Sequence, residues 1–503
     1  MNDFFVTASW GLIELLADEV AALGHEVSGR ASAGLWVRTD MAGARHICLW
    51  SRLASRVILH LTRAQADSAD TVREAAAAVP WEQWLDAGMS FRVRFQGTYG
   101  DILSPRFGAQ CVKDGLMERV RARSVPEPVM TPSDPDLPIR ARLRNGQLEL
   151  GLDMAGEGLH QRGYRTEAGE APLRETLAAG LLHRAGWPEK MRAGGDLADP
   201  FCGSGTILIE AAMMATDTAP GLYRDFAFER WPQSATSGWP EQRAEAHERR
   251  RQGLATSRIQ FRGTDVDKQV VAVAWRNIER AGFSDRIHVE KCDVADWRIP
   301  DKVNTGLILT NPPYGNRLET RERAAELFRV FGERLRNEAE GWHLGLLLAE
   351  PELGHQLGVR ARRQYRFYNG SLETTLLLFE IQESDFRQPQ QSLEELRTGI
   401  PEPEIYNEER AAMLANRLRK NRRHLRRRIN KTPEQAHCLY DADIPEYAVR
   451  ITQTGHHLAI REYAPPASVP EKNARQRLAE VLAVAPQVLG IEADAVSCER
   501  RGR

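Results

Sequence analysis

The sequence predicts an α/β protein: a mainly parallel sheet domain with helices on both faces, an α+β region before it and a small α+β segment after it. Three observations predict this. Between about 165 and 385, apolar runs at 196–201, 259–264, 287–292, 306–310, 343–349 and 374–381 alternate with helical segments, the pattern of strands buried on both faces. Before 155, strand and helix patterns are mixed without that alternation. A length of 503 residues also exceeds what one core serves, so about three domains are expected.

Taken in order, 3–7 reads as a strand and 10–23 as an amphipathic helix, followed by strands near 34–38 and 57–63. A helix over 70–79 and a strand over 90–96 come next. The helix over 110–123 has Val112, Leu116, Met117 and Val120 on one face. Strands over 139–143 and 147–152 turn at Asn145-Gly146, which tolerates the positive φ angles of a two-residue hairpin. Residues 217–257, rich in Trp, Pro and Arg, read as an insertion between the first helix and second strand of the parallel series. Residues 382–408, with Pro389, Pro401 and Pro403, have a linker composition. A basic stretch at 416–431, strands at 447–452 and 457–463 and a helix at 474–483 follow.

The formal net charge of -1 leaves a nucleic-acid partner to be decided by local charge. Six scattered cysteines without a C-x-x-C pair predict reduced thiols, with no disulfide frame and no zinc knuckle. No signal peptide and no membrane span is read, so a cytoplasmic protein is expected. Histidine spacing predicts no metal site. Ser204 is not in a G-x-S-x-G elbow, which argues against a hydrolase.

The chemistry is carried by four short segments. Asp199-Pro200-Phe201-Cys202-Gly203-Ser204-Gly205-Thr206 lies where a buried strand passes into a helix. Gly203 and Gly205 permit a tight turn, and the helix N-terminus offers free N–H groups to the carboxylate of a methionine moiety. Asp265 ends the next strand, where a carboxylate can accept from both ribose hydroxyls; it is equally placed to cap the following helix. Asp293 ends the third strand and can accept from an adenine amine, or serve as a turn residue. Asn311-Pro312-Pro313-Tyr314 follows the fourth strand. An exocyclic amine is a poor nucleophile, because its lone pair is delocalised into the ring. The Asn311 side-chain oxygen and the Pro312 carbonyl can accept its two hydrogens, the prolines fix the backbone, and Tyr314 offers a ring for stacking.

Two basic features point to phosphate contacts. Arg417, Arg419, Lys420, Arg422, Arg423 and Arg426 lie in the stretch after the linker, and Arg140 and Arg142 alternate on the hairpin. Each also reads as an ordinary solvated face.

Together these segments resemble the class I Rossmann-like S-adenosylmethionine (SAM) methyltransferases, in the branch acting on exocyclic amines. Gly158-Leu159-His160-Gln161-Arg162-Gly163-Tyr164-Arg165 and Ala171-Pro172-Leu173-Arg174-Glu175 resemble the segment leading from a THUMP domain into such a catalytic domain. Over 1–385 the chain resembles the L half of the bacterial bifunctional 23S rRNA large-subunit methyltransferase K/L family. Beyond it, Asn416-Arg417-Leu418-Arg419-Lys420-Asn421 and Glu462-Tyr463-Ala464-Pro465-Pro466 resemble the opening of the K half.

The resemblance implies a ferredoxin-like subdomain over 1–60, a THUMP RNA-binding domain over 61–155, the methyltransferase domain over 156–385, a linker over 386–410 and a K-like segment over 411–503. It implies SAM as cofactor, 23S rRNA or a large-subunit assembly intermediate as partner, and N2-methylation of a guanine. No second Gly-rich loop follows within 411–503, so N7-methylation is not implied. Two other readings stay open: methylation of adenine N6 or of a protein glutamine amide, whose targets are also planar NH2 groups, and an RNA-binding assembly factor with an inactive methyltransferase fold.

Overall fold

The computed structural model describes residues 1–165, 173–232, 238–299, 305–313, 318–370, 372–386, 391–392, 405–463 and 469–499. The chain divides into two units, Met1–Phe386 and Arg387–Arg503.

The first unit opens with β1 (Asn2–Thr7), α1 (Ile13–Ala22), β2 (Glu26–Ala31), β3 (Gly34–Thr39), α2 (Met41–Trp50) and β4 (Arg56–Gln65). Then come α3 (Ala69–Ala78), β5 (Ser90–Gln96), α4 (Pro105–Ala122), β6 (Val129–Met130), β7 (Leu137–Arg144) and β8 (Gln147–Asp153). The strands form one sheet in the order β2-β3-β1-β4-β8-β7-β5-β6. β4 pairs β1 on one side and β8 on the other, so the N-terminal region has a continuous sheet. Asn145 and Gly146 carry positive φ (51° and 73°), as the hairpin turn requires. α4 starts five residues before the expected 110, because Ser104 accepts from the Phe107 N–H and Pro105 starts the helix.

The catalytic region follows with α5 (Glu175–Arg184), α6 (Trp187–Arg192), β9 (Asp196–Asp199), α7 (Thr206–Ala215), α8 (Trp239–Thr256), β10 (Phe261–Asp265), α9 (Lys268–Ala281) and β11 (Ile287–Lys291). It continues with β12 (Gly306–Thr310), α10 (Leu318–Glu338), β13 (His343–Leu348), β14 (Arg363–Asn369) and β15 (Leu372–Glu380). The order is β11-β10-β9-β12-β13-β15-β14. β9 to β13 are parallel and β15 and β14 are antiparallel additions. Leu307, Ile308 and Leu309 have no exposed surface, as a central strand covered on both faces demands.

The inserted segment contains the long helix α8, which reaches back to the N-terminal region. Gln242 Nε2 donates to the Ala42 carbonyl (3.0 Å), and the Arg249 guanidinium lies 3.7 Å from the centre of the Trp50 ring. The junction is otherwise held by buried cations. Arg52 donates to the carbonyls of Met213 and Thr218 at the end of α7, and Arg162 donates to the Arg52 carbonyl (2.6 Å). Arg224 donates to the carbonyls of Ala155, Glu157, Gly158 and Gln161, at 2.6 to 3.1 Å.

The second unit has a five-stranded sheet in the order β16 (Gln391–Ser392), β20 (Val496–Glu499), β19 (His457–Glu462), β18 (Val449–Thr454), β17 (His437–Asp441). The helix Glu408–Lys431 buries Ala411, Leu414, Ala415 and Leu418 in the core it shares with the helix Glu471–Leu489. The last described strand, β20, was not expected; it pairs in parallel with β19. Among the described residues no helix is long and apolar enough to cross a membrane.

Candidate active site

The strand order reverses between β9 and β12, because β10 and β11 lie on one side of β9 and β13 on the other. In an open parallel sheet such a switch leaves a crevice at the carboxyl ends of the strands. The Gly-rich segment leaves β9 and Asn311-Pro312-Pro313 leaves β12, so they stand on the two sides of that crevice.

Gly203 and Gly205 both have positive φ (53° and 80°), which explains glycine at each. A Cβ built on Gly203 would meet nothing within 4 Å, so this part of the loop faces open space. Gly205 is the N-cap of α7, so the helix N-terminus opens at the loop. Asp265 is partly exposed, and its carboxylate is oriented by the N–H groups of Gly203 and Asp267, each at 3.1 Å. Asp293 is exposed at the end of the neighbouring strand, where its side chain caps the turn by accepting from the Ala295 N–H (2.9 Å). Phe201, Ser204 and Thr206 complete the loop; the Ser204 and Thr206 hydroxyls are 3.2 Å apart. This set suits SAM: an open glycine cradle, a helix N-terminus for its carboxylate and acidic side chains for its ribose and adenine.

Asn311 is half-buried, Pro312 buried and Pro313 exposed. Tyr314 lies outside the described residues. Asp199 differs from its expected place at the cofactor surface. It is 2 % exposed, and its Oδ1 accepts from the Phe201 N–H (3.2 Å) and from the Thr310 hydroxyl (2.6 Å). Burial lifts its carboxyl to about 7.

Several supporting residues escaped the reading by motif. The Thr264 hydroxyl donates to the Pro200 carbonyl (3.0 Å), and the fully buried Asn277 donates to the Ser204 carbonyl (3.1 Å). Val266, next to Asp265, is 61 % exposed. Its exposure breaks the burial expected of a valine, but neighbouring positions gave no sign of it.

The basic candidates divide by their partners. Arg140 is engaged with the buried Asp153 (2.9 Å), which also pairs with Arg56, so its charge is compensated. Arg142 shares with Arg92, Arg94 and Arg106 the lining of a cleft of about 810 Å³ in the N-terminal region, with Trp36 and Phe5 among its walls. In the second unit Arg417 pairs with Asp443 (2.7 Å), Arg422 donates to the Leu489 carbonyl and Arg419 to Asn416. Lys420, Arg423 and Arg426 stand exposed on the same helix. Among the described residues no group of three or more His, Cys, Asp or Glu is placed to hold a metal ion.

Known proteins agree with this geometry. Residues 162–377 match the RMKL-like methyltransferase domain, 3–58 the RlmL ferredoxin-like domain and 66–153 the THUMP domain. A structure of a methyltransferase complexed with SAH is 27 % identical, with a TM-score of 0.68 over 76 % of this chain and 98 % of that one. A predicted N6-adenine-specific DNA methylase from Listeria monocytogenes is 28 % identical, with a TM-score of 0.66 over 75 % of this chain and 96 % of that one. The fold and loop are those of a SAM-dependent methyltransferase. The ribosomal RNA large subunit methyltransferase K/L of Marinobacter nauticus is 44 % identical over 99 % of this chain and 69 % of its own length. That of Pseudomonas aeruginosa is 39 % identical over 100 % of this chain and 70 % of its own length. The chain therefore belongs to the ribosomal RNA large subunit methyltransferase K/L family.

Proposed function

We propose that this protein transfers a methyl group from SAM to the exocyclic N2 of a guanine in 23S ribosomal RNA, in free rRNA or in a large-subunit assembly intermediate. The observation that carries the reading is the Asn311-Pro312-Pro313 turn across the crevice from the Gly203–Gly205 loop. On this reading Asp265 holds the ribose hydroxyls, Asp293 the adenine amine, and Val266 packs on the adenine face. When bound, SAM supplies a methyl group already activated by its sulfonium.

The work of the chain is then orientation. The Asn311 side-chain oxygen and the Pro312 carbonyl accept the two amine hydrogens, which draws the nitrogen towards a tetrahedral form and turns its lone pair to the methyl group. Pro312 and Pro313 keep that carbonyl aimed. Tyr314 stacks on the extruded base.

The chain divides its labour accordingly. Residues 1–60 and 61–155 hold RNA, 156–385 carry the chemistry, 386–410 link, and 411–503 add a further RNA contact. In the N-terminal cleft, Arg94, Arg106 and Arg142 form no ion pair among the described residues and are available to phosphate, while Trp36 and Phe5 offer apolar surface to a base. In the second unit the exposed Lys420, Arg423 and Arg426 do the same.

The test is incubation with methyl-labelled SAM and rRNA from cells lacking the enzyme, followed by nucleoside analysis. Label is expected in N2-methylguanine; its absence, with folded protein that binds SAM, would refute the reading. Asn311→Ala is expected to lower the single-turnover rate by about a hundredfold or more. A second reading, adenine N6, is favoured by the name of the Listeria neighbour; label in N6-methyladenine would establish it.

A further inference from the structure

β9 and β12 are hydrogen-bonded neighbours, but their ladder ends at Ala198 and Ile308. Beyond that point the strands part to form the crevice, one leading into the glycine loop and the other into the Asn311 turn. A side-chain bond spans them past the end of the ladder. The Thr310 hydroxyl donates to Asp199 Oδ1 at 2.6 Å, a length typical of a hydroxyl bound to a carboxylate. The same Oδ1 accepts from the Phe201 N–H, so the first residues of the glycine loop and the residue before Asn311 share one acceptor atom. Both side chains are buried, Asp199 at 2 % exposure and Thr310 at none.

We propose that Asp199 and Thr310 are a positioning pair: a clasp at the floor of the crevice that fixes the separation of the SAM loop from the Asn311 turn, and so the approach of the amine to the methyl group. The inference rests on the reading of Asn311 as the acceptor for the target amine.

The clasp places a buried carboxyl between the two strands. Burial raises the Asp199 carboxyl to about 7; the Thr310 and Phe201 bonds lower it and the charge of Asp265 adds to the rise. Cys202 is the other titratable group beside it among the described residues, and its thiol is pushed up in turn. An acid whose pKa is raised by folding binds its proton more tightly in the folded chain. Its contribution to stability therefore falls as pH rises from about 4 through 7. An asparagine would keep the acceptor oxygen without that cost, but its neutral bond would hold Thr310 less firmly.

The experiment uses the full chain, labelled SAM and unmodified rRNA under single-turnover conditions. Thr310→Val keeps the shape and removes the hydroxyl. It is expected to slow the step roughly tenfold to a hundredfold while SAM affinity stays within about twofold, and Thr310→Ser is expected to restore most of the rate. Asp199→Asn is expected to slow the step severalfold at pH 8 while the protein becomes more resistant to urea than the wild type at that pH. A role in stability alone would move rate and stability together. Wild-type rate in Thr310→Val would overturn the proposal, as would a rate loss matched by an equal loss of SAM affinity. Should Thr310→Val fail to fold, Asp199→Asn decides: slower and more stable supports the clasp, and a wild-type rate at pH 8 overturns it. Asn311→Ala separates the two levels. If it retains full rate, the reading of the turn has failed; if it is slowed while Thr310→Val keeps the wild-type rate, the clasp alone has failed.

Discussion

The two glycines of the cofactor loop do different work. A Cβ on Gly205 would meet Ala274 at 3.5 Å, an ordinary contact, so the space tolerates alanine and the left-handed backbone does not. Gly205→Ala is therefore expected to lower stability by about 1–2 kcal/mol, read by urea unfolding. Gly203 faces open space, so a larger side chain there would intrude on the cradle before it strained a neighbour. Asp265 is held in place by two backbone N–H groups and keeps further acceptor capacity. Asp265→Ala is expected to weaken SAM binding by about tenfold to a hundredfold by calorimetry, as for the loss of hydrogen bonds to a charged group. The motif residues were legible because their signal is local: positive φ selects glycine and a fixed φ selects proline. Asp199 was legible as part of the loop segment, but its bond to Thr310 was not, because that partner lies 111 residues away.

Among the elements, those that bury a regular apolar face were readable, the edge strand β11 included, and the edge strands β2 and β14 were not. β2 alternates between exposed and half-buried residues, and β14 buries Phe367 alone, so neither shows an apolar run. Their hydrogen bonds come from β3 and β15, which only the assembled sheet supplies. The basic helix Glu408–Lys431 was legible as a helix with an apolar edge, and the structure sorts its charges. Replacing Lys420, Arg423 and Arg426 by glutamine is expected to weaken rRNA binding across sequences. It should also reduce the slope of log affinity against log salt by about 2, at roughly 0.7 for each phosphate no longer neutralised. Replacing Arg417, which Asp443 already pairs, is expected to change that slope little, and filter binding over a salt series distinguishes the two.

At the scale of the first unit, the N-terminal region is fastened to the catalytic sheet by buried arginines rather than joined by a loose connection. Arg224 satisfies four carbonyls of the segment leaving β8, and burial lowers its own pKa to about 10. Arg224→Ala would remove this donor from the carbonyls of Ala155, Glu157 and Gln161, while Gly158 keeps the Gln161 N–H, and is expected to cost about 3 kcal/mol by urea unfolding. Arg52 and Arg162 fasten the same junction to α7, the helix whose N-terminus forms the cofactor site. The N-terminal cleft and the crevice thereby lie in one compact unit, Met1–Phe386.

By itself the sequence determined the fold class, the order of the four chemical segments and the methyltransferase family they resemble. Each of these is written in short stretches whose conformation is set by glycine, proline and the run of apolar residues. The tertiary structure decided which charges are paired, which carboxylate is buried between the strands and which stands at the open side of the loop. Those outcomes depend on pairs such as Asp199 with Thr310 and Ser204 with Asn277, which lie far apart in the chain and meet only when the strand order brings them together.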